Sequence, residues 1–210
     1  MKPAVLMAAL LVLASCTYGE QTRVLTFKYA IADDDSKVAI LAMRYVLHRP
    51  TGIAAFPDGG SPKVTDQAVE VYVVDPVSRK ILYRHAVGPP GERGMVGLTA
   101  WLSGWQADAV YVKLTGCEPG FLTSYRGCGD ERRRTLAYRV SGDAVEPVAW
   151  PAPAPRPNTR FGRAVAPGAS SKPRAYLVSD DEGVWIRHGM QGPREPLLAI
   201  RGQALEEIVD

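Results

Sequence analysis

Hydrophobic and polar residues alternate along much of the chain with the period of two that a half-buried β-strand requires. Leu25, Phe27, Tyr29 and Ile31 share one parity, and Thr26, Lys28 and Ala30 the other. Val69, Val71 and Val73 alternate with Glu70, Tyr72 and Val74; Asp75-Pro76-Val77-Ser78-Arg79 then turns the chain into a second arm over residues 80–87. Gly88-Pro89-Pro90-Gly91 stops that arm, and further apolar runs follow at 96–102, 109–115, 135–140, 144–149, 161–166, 175–179 and 183–187. Gly, Pro or Asp fills most of the gaps, and short strands so punctuated predict an all-β fold. Residues 38–48 fit two periods. As a helix, Ser36 caps them and Lys37, Arg44 and His48 form one polar stripe. As a strand, they pair back on 24–31 across the turn Asp33-Asp34-Asp35-Ser36. The strand is the preferred reading.

A weak internal echo overlies this pattern. Val71-Tyr72-Val73-Val74-Asp75-Pro76, Ala137-Tyr138-Arg139-Val140-Ser141-Gly142 and Val184-Trp185-Ile186-Arg187-His188-Gly189 each place an aromatic inside a strand shortly before a turn, and each leads into a second arm. Hairpins of this kind resemble the outer halves of β-propeller blades, which implies about three four-stranded blades. The repeats are unequally spaced, and three blades fall below the usual four to eight. The expectation is therefore a propeller-like array of short antiparallel strands, with a β-sandwich as the alternative. Pro151, Pro153, Pro155 and Pro157 alternate with Ala152, Ala154 and Arg156, which favours a stiff extended segment without internal hydrogen bonds. It reads as a rigid connection between two sheets, in preference to a docking strip.

Composition sharpens the class. With 46% hydrophobic and 22% charged residues the chain of 210 is ordinary globular material, and a disordered chain is excluded. Twenty glycines and 17 prolines argue against a helical bundle. A net charge of +3, from 25 basic and 22 acidic residues, is too weak for a nucleic-acid binder held by a basic field.

The first fifteen residues stand apart. Lys2 precedes an apolar run from Ala4 to Ala14, too short to span a bilayer, and the run ends in Leu13-Ala14-Ser15-Cys16. This leader resembles the lipobox of bacterial lipoproteins. The resemblance implies a diacylglycerol on the Cys16 sulfur, cleavage before Cys16 and acylation of the new amino group. Attachment by two or three acyl chains is effectively permanent, at about 0.8 kcal/mol for each buried methylene. Thr17 stands where Asp signals inner-membrane retention, so the resemblance points to the outer membrane, facing the periplasm. The expected organisation is a signal peptide over 1–15, a short tether over 16–21 and a single all-β domain over 22–210.

An exported chain meets oxidising conditions, so the two remaining thiols, Cys117 and Cys128, are expected to form a disulfide; closing so short a loop contributes about 2–3 kcal/mol. His48, His85 and His188 lack metal-ligand spacing and read as surface strand ends. Asp33-Asp34-Asp35 and Asp180-Asp181-Glu182-Gly183 are acidic enough for Ca²⁺ but follow no EF-hand pattern, so turn chemistry is preferred. Trp101 and Trp105 read as a packing corner, in preference to half of an aromatic sugar platform. No nucleophile elbow, metal spacing or phosphate-cradling loop occurs, so neither a catalytic residue nor a cofactor is expected. The expected role is non-enzymatic binding or scaffolding of another envelope component by a body held at the membrane through its lipid, without nucleic acid. A periplasmic hydrolase of cell-wall or sugar substrates is the alternative. The candidate contact surface comprises Phe56 and Asp58 in the 56–62 loop and Arg132, Arg133 and Arg134 at the end of the 116–134 loop.

Overall fold

The computed structural model describes residues 18–50, 63–88, 96–118, 130–161, 175–189 and 191–200. They form eleven strands in three antiparallel sheets, each a meander of consecutive strands. The first sheet contains β1 (Tyr18–Ile31), β2 (Val38–Pro50), β3 (Lys63–Val74) and β4 (Ile81–Ala86). The second contains β5 (Val96–Leu102), β6 (Ala109–Cys117), β7 (Arg133–Ser141) and β8 (Ala144–Pro147). The third contains β9 (Ala175–Ser179), β10 (Gly183–His188) and β11 (Arg194–Ala199). An all-β chain is what the alternation predicts.

Several expectations resolve at this level. Residues 38–48 are strand, paired with β1 across the acidic turn from Ile31 opposite Val38 to Tyr18 opposite Pro50. The echoed hairpins are the last two strands of each sheet: β3–β4, β7–β8 and β10–β11. β1 starts at Tyr18, inside the stretch read as tether, because β2 is long enough to pair with it there. Of the apolar run 161–166, only Phe161 is described. It donates its backbone N–H to Ala175 O, beside an isolated bridge between Arg160 and Tyr176.

The first sheet lies between the other two, since each of its faces fills a different core. Ala30, Leu41, Val69 and Val71 pack with Val110, Val112, Leu114 and Val140 of the second sheet. Residues of the opposite parity on the same strands, Ile31, Ile40, Tyr72 and Val74, pack with Leu177, Val184, Ile186 and Leu198 of the third. Polar side chains also tie the layers. Lys28 donates to Ala100 O at 2.6 Å, Trp105 Nε1 to Ala30 O at 3.0 Å, and Tyr29 Oη to Leu177 O at 2.9 Å.

The proline-rich stretch carries the chain from the second sheet to the third across the end of the first. Pro155 O accepts from Gly104 N at 2.8 Å and Asn158 O from Ile31 N at 2.7 Å. Gly104 makes this approach possible, because a Cβ there would stand 2.4 Å from Arg156 O. The acidic segments are turns. Asp34 Oδ1 accepts from Ser36 N and Oγ, Asp75 from Val77 N, Ser78 N and Ser78 Oγ, and Asp180 Oδ1 from Glu182 N and Gly183 N.

Candidate functional site

Cys16, Phe56, Asp58 and Cys128 lie outside the described residues. Cys117 ends β6, is buried and is disulfide-bonded. Arg132 closes a single 3-10 turn, Asp130–Arg132, and Arg133 and Arg134 open β7, opposite Cys117 and Gly116 respectively. All three arginines are exposed, and two have acidic partners: Arg134 Nε reaches Glu118 Oε1 at 2.6 Å and Arg133 Nη1 reaches Asp130 Oδ1 at 3.6 Å. The run is thus a solvated strand start at the foot of the cysteine loop, with Arg132 as its least engaged cation.

The reading of the histidines as surface strand ends holds for His188 and less well for His85. His188 does end β10, 3.9 Å from Glu195. His85 instead sits within β4, stacks on Tyr83 at 6.4 Å, and places Nε2 2.9 Å from Gly142 O of the second sheet. It pins the edge of one sheet to a turn of the next.

Trp101 and Trp105 part company. β5 ends at Leu102, so Trp105 lies beyond the strand and turns inward to pack on the core, while Trp101 stays on the outer face with 51% of its surface exposed. On that face Trp101 stands opposite Lys113, which stands opposite Ala137. Lys113 Nζ lies 5.8 Å from the Trp101 ring centre and 5.0 Å from that of Trp150, just past β8. Lys28 Nζ reaches over the edge of the sheet to 4.3 Å from Trp101. The next row on the same face is Thr99, Thr115 and Thr135. Burial lowers the Lys28 pKa, the mark of an ammonium held partly out of water. No pairwise spacing in the sequence joins Lys28, Lys113 and Trp150: strand register places Lys113 beside Trp101, and packing of β1 on the second sheet brings Lys28.

A second constellation is interior. Glu70, 5% exposed, accepts from Tyr72 Oη at 2.9 Å and from Arg84 Nη2 at 3.0 Å, and the Arg84 guanidinium lies 5.6 Å from the Tyr72 ring centre. Burial, and then the Glu70 charge, push the Tyr72 phenol well above its usual pKa. The described hydrogen-bonding partners come from adjacent strands of one sheet, so this network, buried at Glu70 and reaching the surface at Arg84, locks β3 to β4.

No protein-family model matches the chain, and no curated protein or solved structure matches it.

Proposed function

We propose that this chain is a lipid-anchored protein of the bacterial cell envelope, attached through Cys16 to the outer membrane on its periplasmic side, and that its β body works by holding another envelope component. The observation that carries the reading is the lipobox-like Leu13-Ala14-Ser15-Cys16 with β1 beginning at Tyr18, so that Thr17 alone separates lipid from fold. An anchor so short keeps the strand ends and their loops near the membrane, where Arg132 to Arg134 meet anionic partners. Replacing Cys16 with Ser is expected to abolish palmitate labelling and leave unprocessed precursor; normal processing and anchoring in that variant would overturn the anchor. Replacing Arg132, Arg133 and Arg134 together is expected to change the set of crosslinked envelope partners. An unchanged set, with hydrolysis of a cell-wall substrate by the purified protein, would transfer the role to an enzyme.

The same reading takes the three meanders as an open, propeller-like array. Its support is the recurrence of Tyr72, Tyr138 and Trp185 in the next-to-last strand of each sheet, together with a first sheet covered on both faces as a blade is. A layered β-sandwich is the alternative, favoured by the exposure of Trp101 on a face that a closed ring would cover. The proposed bridge is Cys117 to Cys128; the intact chain is then about two daltons lighter before reduction than after, the mass of the two thiol hydrogens lost.

A further inference from the structure

We infer that the outer face of the second sheet binds an acidic polysaccharide, a sugar ring stacking on Trp101 while its anionic substituent meets Lys113 and Lys28. This deepens the reading of a protein that works by contact.

The two outer sheets each carry a cation over a tryptophan, and the difference between them supports the assignment. In the third sheet the Arg194 guanidinium lies 4.6 Å from the Trp185 ring centre and is neutralised by Asp180 at 2.6 Å. That cluster is electrically closed. In the second sheet, Lys113 lies within 6 Å of two indole rings and makes no ion pair with any described carboxylate. Lys28 hydrogen-bonds to Ala100 O and forms no ion pair with any described carboxylate. Two ammonium groups gathered on one aromatic surface, with no counter-charge paired to them among the described residues, make the site complementary to an anion.

The floor favours a sugar. The row adjoining Trp101 and Lys113 offers three hydroxyls, Thr99, Thr115 and Thr135, with Thr115 and Thr135 Oγ1 atoms 3.5 Å apart. Hydroxyl rows suit a polyhydroxylated ligand, and an indole plane suits the apolar face of a pyranose. A membrane surface is the competing occupant, since tryptophan and lysine also suit a lipid interface. The threonine row argues against it.

The test is affinity electrophoresis of the full chain in detergent through native gels containing polygalacturonate, a phosphomannan or neutral galactan. Retardation by an acidic polymer and not by galactan is expected, and whichever acidic polymer acts reads carboxylate against phosphate. Trp101→Ala and Lys113→Gln should each lower the apparent affinity about tenfold, with far-UV circular dichroism unchanged. Lack of retardation by both acidic polymers, or equal retardation of wild type and both variants, would overturn the inference. So would a blue shift of tryptophan emission on phosphatidylglycerol vesicles that Trp101→Ala abolishes, since it gives the face to the membrane. If glycan binding fails while crosslinking still depends on Arg132 to Arg134, the contact reading stands and this ligand falls.

Discussion

The first and second sheets have the same four-stranded meander, yet they bury their residues differently. In β2, Val38, Ala39, Ile40, Leu41 and Ala42 are all buried, because odd positions face one sheet and even positions another. In β6, Val110, Val112 and Leu114 are buried while Tyr111, Lys113 and Thr115 are only partly so. A sheet covered on both sides loses its polar face, and with it the alternation that identifies a strand. The middle sheet therefore holds the molecule together, and the outer sheet is free to carry chemistry on the face it leaves to water.

Truncations in the two sheets test that division most severely. Ile40→Ala and Leu41→Ala, adjacent in sequence but in different cores, should each cost about 2–5 kcal/mol in urea unfolding. Thr115→Ala, on the outer face of the second sheet, should stay within about 0.5 kcal/mol. Equal costs for Leu41→Ala and Thr115→Ala would mean that the first two sheets do not share a core.

The same contrast governs how much was legible in the sequence. β6 shows in the sequence as the apolar run 109–115, and its burial alternates in the structure. The 38–48 segment fits a helix nearly as well as the preferred strand because double-sided burial blurs its period. β1 extends through Gly19-Glu20-Gln21, a polar stretch without periodicity, because the length of β2 gives it a partner. The candidate site was less legible still. Trp101 and Trp105 invite pairing at a spacing of four, but the strand ends between them and sends one inward. Lys113 reaches Trp101 through strand register and Lys28 reaches it through packing of one sheet's edge on another, neither of which is written in local spacing.

The next effect belongs to the network inside the first sheet. Glu70→Ala leaves Tyr72 and Arg84 without their shared acceptor and should cost about 3 kcal/mol, while Tyr72→Phe, which removes one hydrogen bond, should cost about 1 kcal/mol. Tyr72 also sets an alkaline limit. Its folded pKa lies above the value of 10.0 for an exposed phenol, so its contribution is intact below pH 10 and is lost as the pH rises beyond it, when the unfolded chain ionises first. Tyr29 and Tyr138 are raised by burial and add to the same limb. Tyr72→Phe should flatten the fall of the urea midpoint above pH 10; an unchanged slope would place the titration elsewhere.

The smallest effect distinguishes the closed cation cluster of the third sheet from the open one of the second. Asp180 is held below the ordinary carboxylate pKa of 3.8, chiefly by the Trp185 indole N–H, then by the Glu182 backbone N–H and by Arg194. A folded pKa below the unfolded one gives stability that is present above pH 3.8 and is lost as the pH falls below it, because the unfolded chain takes up the proton more readily. Asp180→Asn should therefore flatten the acid limb of the urea midpoint. Arg194 is about half exposed, so water and salt screen the pair, and the change should remain under about 1 kcal/mol and shrink further at high ionic strength. Asp34 and Asp75, lowered mainly by their serine hydrogen bonds, keep part of the limb in the variant. Lys113→Gln should leave the acid limb untouched, since no described carboxylate pairs with that lysine. If it shifts the limb as Asp180→Asn does, an acidic partner already occupies the Trp101 face and the site is closed to an outside anion.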